Sequence, residues 1–296
     1  MTGGFDWIAL AEYSVIGLLS GGLLALIALG FVLIYKGTGV INFAMGEFMM
    51  LGAYFFYTAN VMWQWPAWAA LPATLAAVAL VAALIERTLL RPLSGQPVIS
   101  VLMATIGLAS ALHGGVDAVW GGNNYEMPAM LSRKPFTVGD IFIPGQVVWS
   151  FALAAVVITG FTLYFRYSRT GIAMRAAASD PLTAYVLGID VRRTQALTWM
   201  FAGMVGAVAG IVVASMTSLS PALGGAALGV LAVIILGGLD SIAGAIVAGL
   251  LVGLIESLTA AYLGGKVRDI VPYATVLVIL LIRPYGLFGT RRIERL

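Results

Sequence analysis

The sequence has no cysteine, a single histidine and very little charge. Without cysteine, disulfides, thiolate chemistry and cysteine–zinc sites are excluded. With His113 as the one histidine, no HExxH site can form, and neither a GxSxG elbow nor a P-loop is present. Charged residues make up 10% of the chain and hydrophobic residues 61%, with a mean hydropathy of +1.00 over 296 residues. Soluble domains carry far more charge. No Lys or Arg precedes the first apolar run, which argues against a cleavable signal peptide. Strand-like alternation is sparse, which argues against a membrane barrel. The net charge of +3 is no signal for nucleic acid, because membrane topology accounts for where the cations lie.

What the chain does have is a series of apolar runs near the length of a bilayer crossing. They predict an all-α, polytopic transmembrane bundle of about eight to nine spans, with broken helices, forming one domain over 1–296. Residues 1–12 are a short amphiphilic lead with Asp6 and Glu12. Spans are expected near 13–35, 43–62, 67–90, 98–120, 147–167, 195–217, 223–236, 242–263 and 270–282. The seventh and ninth are short for a full crossing. Lys36, Gly37 and Gly39 should break the first helix. Asn42 and Asp240 are expected as helix caps. Trp63, Trp65 and Trp68 suggest an interfacial belt. Residues 121–146 form a polar loop marked by Gly, Asn and Pro, with a small hairpin around KPFTVGDIFIP, and GGKVRD (264–269) is expected to turn.

The stretch RYSRTGIAMRAAASDPLTAYVLGIDVRR (166–193) holds five arginines between apolar runs. Ser179 or Asp180 can cap a short helix, Pro181 suits its first position, and Gly188 can end it. Leu182, Tyr185, Val186 and Ile189 share one face at helical spacing. The stretch is therefore either a solvated loop or a docking surface for a partner protein. Of the 16 Lys and Arg residues, 12 fall on one side if crossings alternate: Lys36, Arg87, Arg91, these five, Arg283, Arg291, Arg292 and Arg295. Arg133, Lys134, Lys266 and Arg268 fall on the other. The positive-inside rule makes the first side cytoplasmic, with the N-terminus outside and the C-terminus inside; with 223–240 as a re-entrant hairpin instead of a crossing, the span count falls and the end assignments change. The loop 121–146 is then external.

Few groups could carry chemistry. His113 and Asp117 lie four apart on one helical face and can pair; a proton relay is the alternative. Glu47 sits either at a helix start, where the macrodipole favours it, or on a substrate path. Asn42, Glu47, Ser100, Thr105, His113 and Asp240 are the path candidates. GTGVINFAMG (37–46) echoes LGGLDSIAGA (236–245), with Gly39 matching Gly237, either as a repeat of broken helices or by chance. A stand-alone secondary transporter or channel would be expected to carry more ionisable groups within its spans. A membrane enzyme would need clustered His, Asp or Cys.

ALGFVLIYKGTGVINFAMGEFMMLGAY (28–54) resembles the opening signature of the high-affinity branched-chain amino-acid ABC permease family, with Met45 where Gln or His is frequent. The arginine stretch resembles that family's cytoplasmic loop. VLAVIILGGLDSIAGAIVAGLLVGLIES (230–257) and LLIRPYGLFG (280–289) resemble its later signatures. Order and spacing agree from about residue 13 to 290, and the length suits the shorter permease subunit. The resemblance implies the permease of an importer in the bacterial inner membrane. Its partners would be a second homologous permease subunit, two cytoplasmic ATP-binding subunits and a periplasmic substrate-binding protein. ATP would sit on the partners, with no cofactor on this chain. An ATPase-docking loop of about 168–194 would include Arg175, Asp180, Pro181, Leu182, Tyr185, Val186, Gly188, Ile189, Arg192 and Arg193. Branched-chain amino acids are the expected solutes; related permeases carry urea, amides or aromatic acids.

Overall fold

Apolar segments this long fold as helices, because backbone groups withdrawn from water must bond to one another. A computed structural model describes residues 7–128, 130–139, 141–268, 270–283 and 285–289. Its helices are α1 (Trp7–Thr38), α2 (Met45–Tyr57), α3 (Ala67–Ile85), α4 (Val98–Trp120), α5 (Gly145–Tyr167), α6 (Arg169–Ser179), α7 (Pro181–Val186) and α8 (Val191–Met216). They continue as α9 (Ala222–Ala226), α10 (Leu231–Gly237), α11 (Ile242–Tyr262), α12 (Gly265–Arg268) and α13 (Val271–Ile282). Strands β1 (Phe136–Val138) and β2 (Ile141–Ile143) form an antiparallel hairpin. Among the described residues, six helices are long and apolar enough to cross a membrane: α1, α3 with its continuation to Leu93, α4, α5, α8 and α11. Shorter apolar segments fill the remaining expected spans, so this is a multi-pass helical membrane protein.

The chain divides into two compact units. The first comprises Met1–Ala28, Ala129–Val156 and Val230–Leu296. Here α1 and α11 run antiparallel at close range. A Cβ on Gly21 would lie 2.5 Å from the Gly249 carbonyl oxygen, and one on Gly253 would lie 2.5 Å from the Gly21 Cα. Small residues thus let two backbones touch. Ser257 Oγ donates to the Tyr13 carbonyl at 2.7 Å. The two late signatures meet in this unit: Leu287 N–H donates to Leu236 O at 2.8 Å and Phe288 N–H to Gly237 O at 3.0 Å.

The second unit comprises Leu29–Pro128 and Val157–Gly229. Its centre is α2, in which every residue from Met45 to Tyr54 is buried. Gly52 lies against Ala207, and Gly210 against the backbone of Met49. The second apolar segment is therefore sheathed by its own chain.

Several expectations need correction. α1 begins by Trp7 and runs through Lys36 and Gly37; the break comes at Gly39, where φ is 73°. Asn42 Oδ1 accepts from Ala44 N at 3.0 Å, ahead of α2, whose cap position belongs to Ala44. Asn42 makes a turn rather than a helix cap. Asp240 does not cap α11 either: Ser241 does, its Oγ accepting from Gly244 N at 3.0 Å. In the echoed pair the positive φ belongs to Gly238, not Gly237. Much of the supposed loop 168–194 is helical, because α6 has its own cap and a buried face. GGKVRD contains the short helix α12. The hairpin expected within 134–144 is present. Asp6 and the basic tail with Arg291, Arg292 and Arg295 lie outside the described residues.

Candidate functional site

Two sites emerge, both in the second unit. The first is the elbow after α5. Ser168 caps α6, its Oγ accepting from Gly171 N at 2.8 Å. Gly171 lies against the Phe165 carbonyl, where a Cβ would stand 2.5 Å from the oxygen, so α6 doubles back tightly. Arg175 Nη2 donates to Arg166 O at 3.0 Å. The Arg175 guanidinium lies 5.8 Å and the Lys36 ammonium 5.6 Å from the Phe165 ring centre, both at cation–π distance.

α7 is built as its spacing predicts. Asp180 Oδ1 accepts from Leu182 N at 3.0 Å and Thr183 N at 3.1 Å, and Oδ2 accepts from the Thr183 hydroxyl. The Thr183 hydroxyl and backbone bonds hold the Asp180 carboxyl below its ordinary value of 3.8, since bonds to the charged form favour it. Pro181 occupies the first turn, and Gly188 follows with φ 82°. Ala184 is buried, and Ile189 is half-buried. Leu182, Tyr185 and Val186, by contrast, are 75%, 72% and 78% exposed. The apolar face of α7 therefore points outward.

Asp190 caps α8, accepting from Arg193 N at 3.0 Å. Arg192 and Arg193 are exposed in its first turn. Cations there oppose the helix dipole at a cost of roughly 0.3–1 kcal/mol each, so the fold gains little from them. An open groove of about 1230 Å³ beside α7 is lined by Arg91, Ser94, Tyr185, Ile189, Arg192 and Gln195 among others. Arg91 is anchored by Glu86 at 2.7 Å.

The second site is a polar seam between α2 and α4. At one end Phe43 N donates to Thr105 Oγ1 at 3.4 Å. In the middle His113 Nδ1 lies 3.6 Å from Glu47 Oε2, and His113 Nε2 lies 3.8 Å from Asp117 Oδ2. At the far end Trp120 Nε1 donates to Thr58 Oγ1 at 2.9 Å, and the Tyr54 and Trp120 rings are 5.2 Å apart. Asn42 Nδ2, Glu47 Oε2 and Tyr54 Oη are buried and make no hydrogen bond. The Glu47–His113 approach is of ion-pair length, too long for a hydrogen bond. Gly224 of α9 covers the Glu47 carboxylate.

The expected pairing of His113 with Asp117 is present, and Glu47 joins it. These side chains are 41% and 45% exposed, on a helix apolar enough to cross a membrane. Ionisable groups at such positions face protein or a water path rather than lipid. Ser100 sits half-buried in the first turn of α4, away from these contacts. Asp240 belongs to the other unit. Tyr54, Thr58, Trp120 and Gly224 were not foreseen as site residues. The seven-residue step from Glu47 to Tyr54, two helical turns on one face, was the available signal for Tyr54. Nothing in the sequence marks Gly224, which comes from a distant segment. Among the described residues no group of three or more His, Cys, Asp or Glu side chains could hold a metal ion.

Comparison with known proteins agrees with this architecture. Residues 13–280 match the family model described as "Branched-chain amino acid transport system / permease component". The chain is 31% identical to the high-affinity branched-chain amino acid transport system permease protein LivH of Escherichia coli K12, over 94% of this chain and 95% of that protein. Identity is also 31% to BraD of Pseudomonas aeruginosa, with the same coverage. It is 30% to a probable LivH of Methanocaldococcus jannaschii, over 93% and 91%. The solved structure of PsaBC from Streptococcus pneumoniae in complex with Fab shares the fold, with a TM-score of 0.50, 12% identity and coverage of 95% and 94%. The chain belongs to the permease-component family of branched-chain amino acid transport systems.

Proposed function

We propose that this chain is the translocating subunit of an ATP-driven importer for leucine, isoleucine and valine in the bacterial inner membrane. A periplasmic binding protein delivers the solute. A second homologous permease subunit completes the pathway, and two cytoplasmic ATP-binding subunits drive it. The N-terminus lies outside and the C-terminus in the cytoplasm. The observation that carries the coupling role is α7: a capped helix whose apolar side chains point away from the protein, beside two arginines that oppose their own helix dipole. The docking surface comprises Leu182, Tyr185 and Val186, flanked by Arg192 and Arg193. Closure of the ATPase pair would pull α7, and the α6 elbow would pass that pull to the ends of α5 and α8.

The polar seam is the candidate wall of the path, with Asn42, Glu47, Thr105 and His113 its leading residues. Urea, amides or aromatic acids are the alternative solutes, since a binding protein selects the ligand before the permease meets it. Charge reversal of both Arg192 and Arg193, read by co-purification of the ATPase, tests the reading. We expect association to fall with the chain still inserted in the membrane. Undiminished association and uptake would contradict it.

A further inference from the structure

The hairpin β1–β2 has no core of its own. Its register sets Phe136 opposite Ile143 and Val138 opposite Ile141, so these four share one face, while Thr137 and Phe142 share the other. Phe136, Val138 and Phe142 are exposed, Val138 to 66%. A lone two-stranded hairpin is at best marginally stable in water, and an apolar one exposed on both faces needs cover.

Two anchors set its depth. Phe142 N donates to Glu12 Oε2 at 3.3 Å, in the second turn of α1. The Phe136 ring lies 6.4 Å from that of Trp149, in the second turn of α5. α11 ends at the same level, with the Tyr262 ring edge-on to Tyr13 at 6.4 Å. Three helices long enough to cross a membrane thus begin or end beside the hairpin. Their ends carry Trp7, Tyr13, Trp149 and Tyr262, the residue types that collect at the headgroup level. Exposed Arg133 and Lys134 lead into β1. Over 132–143 they outnumber the one acid, Asp140.

We propose that this hairpin lies in the bilayer interface. Phe136, Val138 and Phe142 rest at the acyl boundary, and Arg133 and Lys134 meet lipid phosphates. Aromatic and aliphatic side chains beside cations are the composition of interfacial segments. The surface is continuous with the membrane-facing ends of α1, α5 and α11. A docking site for a soluble protein is the rival, and the test separates the two. The inference depends on membrane insertion alone, not on the identity of the solute.

The chain has no cysteine, so Val138→Cys and Phe142→Cys each give a single labelling site, both at exposed positions. The full-length chain, nitroxide-labelled in nanodiscs of phosphatidylethanolamine and phosphatidylglycerol, would be probed with oxygen and with a water-soluble nickel chelate. Oxygen is expected to relax both labels more than the chelate does, with no change on adding the binding protein. Stronger relaxation by nickel would overturn the proposal. So would shielding that appears only with the binding protein, which would make the hairpin a protein-docking element.

Discussion

A Cβ at Gly224 would stand 2.6 and 2.7 Å from the two oxygens of the Glu47 carboxylate. The carboxylate is buried but ends a flexible side chain, so it can move aside at a modest cost. Gly224→Val is therefore expected to destabilise the protein by about 1 kcal/mol, the low end of the range for overpacking. A lowered melting temperature in detergent would report this, and Glu47→Ala should recover part of it. An unchanged melting temperature in Gly224→Val would contradict the contact. Asp180 works in the opposite setting, at the surface. Its carboxyl is held below 3.8 by bonds from Thr183 and Leu182. A depressed carboxyl contributes stability above its unfolded value and loses it as pH falls through the folded one. The cap is thus fully charged at neutral pH. ATPase co-purification should be flat between pH 6 and 8, fall in Asp180→Ala and be largely retained in Asp180→Asn. A drop between pH 8 and 6 caused by Asp180 would refute the assignment.

At the scale of elements, the packing of α1 on α11 rests on backbones that touch at Gly21, Gly249 and Gly253. Gly21→Leu should separate them and lower the yield of folded protein, whereas Gly160→Leu, on α5 with open space around it, should be tolerated. Thermal unfolding of both variants gives the comparison; equal melting temperatures would contradict the packing. The sequence reading and the structure differ most in elements whose boundaries depend on tertiary contacts. α7 was legible because its cap, its proline and its terminal glycine are local signals. α6 offered one local signal, its Ser168 cap, which the sequence reading passed over; the rest of its support, Gly171 against Phe165 and Arg175 against the end of α5, comes from packing. Asp240 was mistaken for a cap because Ser241, one residue later, offers the same chemistry. The centre of the seam was half legible. His113 and Asp117 announced themselves by helical spacing, but their link to Glu47 spans more than sixty residues of sequence.

For the whole molecule, composition alone excluded soluble and thiol-based classes, and apolar run lengths marked the six helices that, among the described residues, are long enough to cross a membrane, together with shorter apolar segments. The local pattern could not say that the second segment would be sheathed by its own chain; helices distant in sequence enclose it. In the importer proposed above, the ATP-binding subunits are the engine, and the exposed apolar face of α7 beside Arg192 and Arg193 is the surface proposed to receive them. The most direct test is uptake of labelled leucine into vesicles holding this chain with its permease partner, its ATPases and the purified binding protein. The account predicts uptake that requires both ATP and the binding protein and is lost when Arg192 and Arg193 are reversed in charge. Uptake by this chain alone, driven by an ion gradient and indifferent to ATP, would contradict it.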